Sequence, residues 1–149
     1  MEQTSDALDV LERATAVLVR NFEMLRRRTD VYAELDQAEY LILRTLDDVG
    51  PVDISTLAGA LGLDPSTAGR QVSVLLGKTL VERTAPDDDR RRGIITPTER
   101  GRELMELTRS RRRAAVAGLL DGWTPDEVRT FAGFLNRYNG AVAQRYLRS

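Results

Sequence analysis

"LAGALGLDPSTAGRQVSVL", Leu57 to Leu75, decides how the rest of this chain is read. Its first half belongs to a segment that starts at Asp53, a good N-cap, and places Ile54, Leu57, Ala58 and Leu61 on one helical face. Gly62 ends that helix, because glycine reaches the left-handed conformation of a C-terminal cap at little cost. Two residues later Asp64 offers a second N-cap. Pro65 follows at the first helical position, where its missing N–H is harmless. Ala68, Val72 and Leu75 then face inward, while Ser66, Thr67, Arg70, Gln71 and Val74 face away.

Two short helices joined at a glycine turn, with a small residue, Ala58, at their crossing, have the layout of a helix-turn-helix. The exposed start of the second helix carries hydroxyls, an amide and a guanidinium rather than acids. Ser66 and Thr67 suit phosphates or base edges, Arg70 suits the forked acceptor pair of guanine, and Gln71 suits adenine. A helix N-terminus also favours a phosphate, which brings Asp64 and Pro65 into the candidate contact region. An ordinary αα-hairpin satisfies the same spacing, so the flanking segments carry weight.

Downstream, the hydrophobic period changes. "LVERTA" and "GIITPT" read as short strands, and Pro97 restricts the second to an edge or a terminus. Between them lie Asp87, Asp88 and Asp89, then Arg90, Arg91 and Arg92. Consecutive aspartates abutting three cations lack the alternating ligands of a calcium loop. A helix-turn-helix followed at once by a hairpin with a basic tip is a winged helix. On this reading Asp89 pairs locally and shapes the hairpin. One or more of Arg90, Arg91 and Arg92 reach phosphate or the minor groove, with Arg91 or Arg92 entering it; the alternative is a self-paired, solvated hairpin with no partner.

The other segments are helical. Asp6 to Arg28 carries Leu8, Leu11, Thr15, Leu18, Phe22 and Leu25 as one stripe, with Asp6 as its expected cap. "LDQAEYLILRTL" has Asp36 and Glu39 at capping-box spacing, and Ala38, Leu41, Ile42 and Leu46 are expected to face a core. A helix runs from Thr98 to about Leu120. Thr124-Pro125 opens the last one, with Val128, Phe131, Leu135, Tyr138, Val142 and Tyr146 at helical spacing. The expected fold is mainly α: a winged helix-turn-helix over 35–98, with long helices at 1–34 and 99–149.

Composition excludes several functions. The chain of 149 residues has 22 basic and 23 acidic side chains, a formal net charge of −1, so any basic surface must come from uneven placement. It contains no cysteine and no histidine. Thiol chemistry, the usual zinc ligands and the usual neutral-pH general base are therefore missing. With no catalytic constellation in view, neither an enzyme nor a cofactor is expected. No apolar run approaches the roughly 20 residues of a membrane span, and the polar N-terminus is unlike a signal peptide, so a cytoplasmic location is expected.

From Leu35 to Gly101 the sequence resembles the MarR (multiple antibiotic resistance regulator) family of bacterial transcription regulators. "LDQAEYLILRTL" is similar to the helix leading into its DNA-binding part, and the opening stretch to its helix-turn-helix. "DRRRGIITPTERG" is similar to its wing and wing exit, through Asp89-x-Arg91 and Thr98-x-x-Gly101. Two positions depart from the pattern: Lys78-Thr79-Leu80 replaces Lys-Gly-Leu, and Pro97 replaces a leucine. The resemblance implies a homodimer whose terminal helices interlock, addressing a pseudo-palindromic double-stranded operator; the expected role is a sequence-specific repressor, with an activator as the alternative sign. The long apolar stripes of the first and last helices fit that, unless each packs on its own chain. It also implies release by a small aromatic effector, for which Tyr32, Tyr40, Arg44 and Trp123 are candidate lining residues. The absence of cysteine excludes the thiol-based peroxide-sensing branch. The competing reading is a winged-helix module that binds protein without DNA.

Overall fold

The computed structural model describes residues 2–85 and 93–147, and by its contacts the chain divides into two units, residues 1–33 and 34–149. The N-terminal unit is essentially one helix, α1 (Glu2–Arg28). It starts before Asp6, which lies inside the helix rather than capping it. Its basic last turn, Arg26 to Arg28, suits the negative end of the helix dipole, and Arg26 also bonds back to Glu23.

The second unit contains the remaining elements. These are α2 (Gln37–Val49), β1 (Val52–Asp53), α3 (Ile54–Leu61), α4 (Pro65–Gly77), β2 (Val81–Thr84), β3 (Ile94–Pro97), α5 (Glu99–Leu119) and α6 (Pro125–Tyr146). Each long helix begins where its cap directs. Asp36 and Glu39 form a complete capping box, as do Thr124 and Glu127, while Asp53, Asp64 and Thr98 each accept a backbone N–H three residues on. No helix among the described residues is long and apolar enough to cross a membrane.

The strands form a three-stranded antiparallel sheet in the order β1-β3-β2. The sequence predicts a two-stranded hairpin, and the sheet has three strands. Val52 and Asp53 add a third strand by pairing with Ile95 and Ile94. Pro97 therefore ends the central strand, opposite Val81, and a proline at a strand terminus leaves the earlier ladder bonds intact. Mainly α with a small sheet beside a helix-turn-helix, the chain is a winged helix.

Leu35, Ile42, Leu43, Leu46, Leu57, Val72, Leu75 and Ile95 are almost wholly inaccessible and form the core of this unit. Burying each such side chain contributes on the order of 1.5–3 kcal/mol. The apolar face of α2 is rotated from the expected one. Tyr40 and Leu43 are buried with Ile42 and Leu46, whereas Ala38 and Leu41 are exposed. Glu39 is buried too, because its carboxylate serves both the Asp36 N–H and the Lys78 ammonium, 2.6 Å away.

The exit of α4 explains the first departure from the family pattern. Thr79 N–H donates to Leu76 O and Leu80 N–H to Leu75 O, both at 3.0 Å, the paired bonds of a Schellman cap. That cap needs a left-handed residue at position 79, and Thr79 adopts it, with φ 56°. Thr98 fastens the turn to the start of α5. Its N–H donates to Leu80 O and its hydroxyl to Thr79 O, while its Oγ1 accepts from Gly101 N–H. Gly101 sits against this joint so closely that a Cβ there would fall on the Leu80 carbonyl oxygen. The Thr98-x-x-Gly101 spacing is thus a clamp between the end of α4, the end of β3 and the start of α5.

Candidate nucleic-acid interface

Helix α4 is held by its buried side and offers its other side to solvent. Ala68, Val72 and Leu75 are fully buried, Pro65, Ser66, Arg70, Ser73, Val74 and Gly77 are exposed, and Thr67 and Gln71 lie at the boundary. Gly62 makes the preceding turn with φ 70° and ψ 33°, and Leu63 N–H closes it on Ala58 O. The expected crossing and turn are both present.

The polar N-terminus of α4 is organised differently from a vacant phosphate site. Asp64 Oδ1 accepts from Thr67 N–H at 2.8 Å and from Ser66 Oγ at 2.6 Å, and Asp64 Oδ2 accepts from Thr67 Oγ1 at 2.8 Å. Together these bonds, that from Ser66 most of all, hold the Asp64 carboxyl well below the usual carboxylate range. Each hydroxyl has a single proton, and both protons are directed at Asp64. With both protons so used, the lone pairs of Ser66 and Thr67 remain to accept further bonds. Thr67 Oγ1 already accepts one such bond, from Arg70 Nη2 at 3.1 Å. The relay Asp64–Thr67–Arg70 steadies the guanidinium at the exposed face while leaving other N–H donors of its fork free of this bond.

The stem of the wing is well defined. β2 and β3 pair from Val81↔Pro97 to Thr84↔Ile94, and they lead into the segment that carries the charged tip. Asp89, Arg90, Arg91 and Arg92 lie outside the described residues. The stem itself carries a basic residue that the sequence reading passed over. Arg83 is exposed on β2 and lies across Gly93, where a Cβ would collide with its side chain. Two residues after the buried Val81 it shares that residue's face of the pleat, so the sequence period gives no signal of its exposure.

Of the candidate effector residues, the structure brings two together. Tyr40 and Arg44 line an open cleft of about 670 Å³ with Arg109, Arg112, Arg113, Val116, Ala117, Leu120 and Val128. The Arg112 guanidinium stands over the Tyr40 ring, 5.2 Å from its centroid. Arg44 bonds Asp48 at 2.6 Å, and this bond holds its guanidinium firmly protonated. Trp123 is not among the lining residues. It sits before α6, edge-on to Phe131 with ring centroids 5.7 Å apart. Tyr32 belongs to the N-terminal unit. The arginines of α5 were missed because their partner residues on α2 lie far away in sequence.

Comparison with known proteins agrees with this geometry. The model of the MarR family matches residues 35–92. The HTH-type transcriptional regulator YxaD of Bacillus subtilis (strain 168) is 29% identical over 139 residues, 93% of this chain and 97% of its own. The crystal structure of Rv1404 from Mycobacterium tuberculosis matches with a TM-score of 0.71 at 26% identity, over 89% of this chain and 94% of that one. A MarR family transcriptional regulator from Listeria monocytogenes, solved in complex with a 26mer DNA, has the same fold, with a TM-score of 0.74 at 20% identity over 91% of this chain and 90% of that one. In sequence and in fold, this chain belongs to the MarR family of transcriptional regulators.

Proposed function

We propose that the protein is a sequence-specific DNA-binding repressor that acts as a homodimer on a pseudo-palindromic operator. The exposed face of α4 carries this reading: Arg70 is held outward by Thr67 and Asp64 on a helix whose opposite face is locked into the core. In the major groove Arg70 addresses guanine, and Gln71, Ser66 and Thr67 address neighbouring base edges, with Asp64 and Pro65 setting the helix start. The wing follows the backbone. Asp89 shapes its tip, Arg90 binds phosphate, and Arg91 or Arg92 enters the minor groove. That a family member from Listeria monocytogenes was solved with a 26mer DNA supports the same use of the fold here.

The dimer is supported by apolar surface with no cover. None of the residues of α6 is buried, although Phe131, Phe134, Leu135 and Tyr138 lie on it. Leu8, Leu11, Val19 and Phe22 of α1 are likewise exposed. On each helix, a stripe of exposed large apolar side chains marks an association site. Residues 1–34 and 99–149 then serve dimerisation, and 35–98 serve DNA. The effector is a small aromatic anion in the cleft of Tyr40 and Arg44, where one ring and four guanidiniums converge. It releases DNA only by binding the DNA-incompetent arrangement more tightly.

Selection of bound fragments from genomic DNA, followed by mobility shifts, tests the reading. Specific binding that weakens steeply with salt supports it. Absence of any shift at low salt, with capture of a protein partner instead, overturns it in favour of a protein-binding winged helix.

A further inference from the structure

The reading face of α4 contains one side chain that hydrogen bonding does not explain. Val74 lies one turn beyond Arg70 and is 51% exposed, whereas Val72 and Leu75 beside it are completely buried. Gly69, Ser73 and Gly77, which flank it, offer nothing to a base edge. Gly69 and Gly77 have open space where a Cβ would stand, and the Ser73 hydroxyl donates back to Gly69 O at 2.9 Å. The bulky side chains one turn to either side are engaged, Arg70 with Thr67 and Lys78 with Glu39, so the Val74 isopropyl group is presented to a surface laid against this face.

We propose that Val74 is a specificity-determining residue that reads the C5-methyl group of a thymine. This rests on the DNA-binding reading above and deepens it. Base edges in the major groove offer donors and acceptors, and the thymine methyl is the one apolar group among them. An isopropyl group has no polar function to offer, so contact with that methyl is the complementary use of it. The spacing places the thymine. Four residues of helix advance about 6 Å, and base pairs are about 3.4 Å apart along the duplex axis. A helix lying along the groove therefore sets the methyl about two base steps from the guanine that Arg70 addresses. Arg70 and Val74 together specify a guanine and a thymine at fixed separation in each half-site.

Replacing each operator thymine singly by deoxyuridine removes the methyl and leaves every hydrogen-bonding group in place. Wild-type protein should lose about three- to fivefold in affinity at one thymine per half-site, the worth of one buried methyl-sized group. That thymine should lie about two steps from the guanine whose replacement Arg70→Ala no longer senses. In Val74→Ala the deoxyuridine penalty at that position should vanish while other base preferences remain. Val74 is exposed, so the variant should keep the wild-type thermal midpoint. Methyl-independent binding at every thymine overturns the assignment, as does a penalty that persists in Val74→Ala. Failure of the wild-type protein to bind any selected DNA overturns the DNA-binding reading itself, and this inference with it.

Discussion

Replacing Thr79 with glycine should stabilise the protein, although it deletes a side chain. Thr79 occupies the left-handed position of the Schellman cap at φ 56°, and it is the one non-glycine residue at positive φ among those described. A left-handed conformation costs an L-residue on the order of 1–2 kcal/mol, and a β-branched residue is a rarer occupant than most. Glycine adopts it freely but loses more conformational freedom on folding, about 0.5–1 kcal/mol. The difference leaves a net gain of roughly 0.5–1 kcal/mol. At about 2–4 °C per kcal/mol, that corresponds to a thermal midpoint about 1–4 °C higher. The side-chain bond lost, Thr79 Oγ1 to Lys78 O, is exposed and replaceable by water. The Thr98 hydroxyl keeps its acceptor, since that is the Thr79 backbone carbonyl. Thermal unfolding followed by far-UV circular dichroism, at fixed protein concentration, measures the change. Thr79→Ala keeps a Cβ and should fall well short of the glycine variant. If glycine destabilises the protein, or alanine matches it, the backbone at this turn is not strained as described.

At the same joint, Gly101→Ala should act in the opposite sense: its Cβ would fall on the Leu80 carbonyl, forcing α5 away at a cost of about 3 kcal/mol, visible as a lower urea midpoint. Lys78→Met should cost about 1–2 kcal/mol, because it leaves the Glu39 carboxylate buried with only the Asp36 N–H, and chemical denaturation of the two proteins side by side measures the loss. Asp64→Asn should change neutral-pH stability little, since both residues cap well. The pH dependence should differ, however. The Asp64 carboxyl is held below its ordinary value in the folded state, so its stabilisation is present above about pH 4 and fades as pH falls toward the folded value. Wild type should therefore lose more stability than the asparagine variant between about pH 4 and pH 2, and parallel acid-unfolding curves would count against the Asp64 network.

What the sequence made legible was local. Caps at Asp36, Asp53, Asp64, Thr98 and Thr124 are read from neighbouring residues, and all five start helices as expected. Position 79 was visible as a departure from glycine, and the structure supplies the reason glycine suits it. Features that depend on distant partners were not legible. The two-residue strand β1 exists only because Val52 finds Ile95. Glu39 is buried with Lys78, 39 residues on, as its partner, and the buried face of α2 takes in Tyr40 and Leu43 in place of Ala38 and Leu41. The cleft joins Tyr40 and Arg44 to arginines of α5 that no spacing rule connects to them. The hydroxyl bonds of Ser66 and Thr67 to Asp64 were not legible for a different reason. Asp64 was read as a backbone cap, and its remaining acceptor capacity, which takes both hydroxyl protons, was left out of account.

Hydroxyl-radical footprinting of the selected operator tests the central claim most directly, because it reports DNA binding and two-fold symmetry in one measurement. The account predicts two equivalent protected patches related by a dyad, with centres about one helical turn apart, both lost in Arg70→Ala at concentrations that saturate wild type. A single asymmetric patch, or protection that does not depend on Arg70, would contradict it.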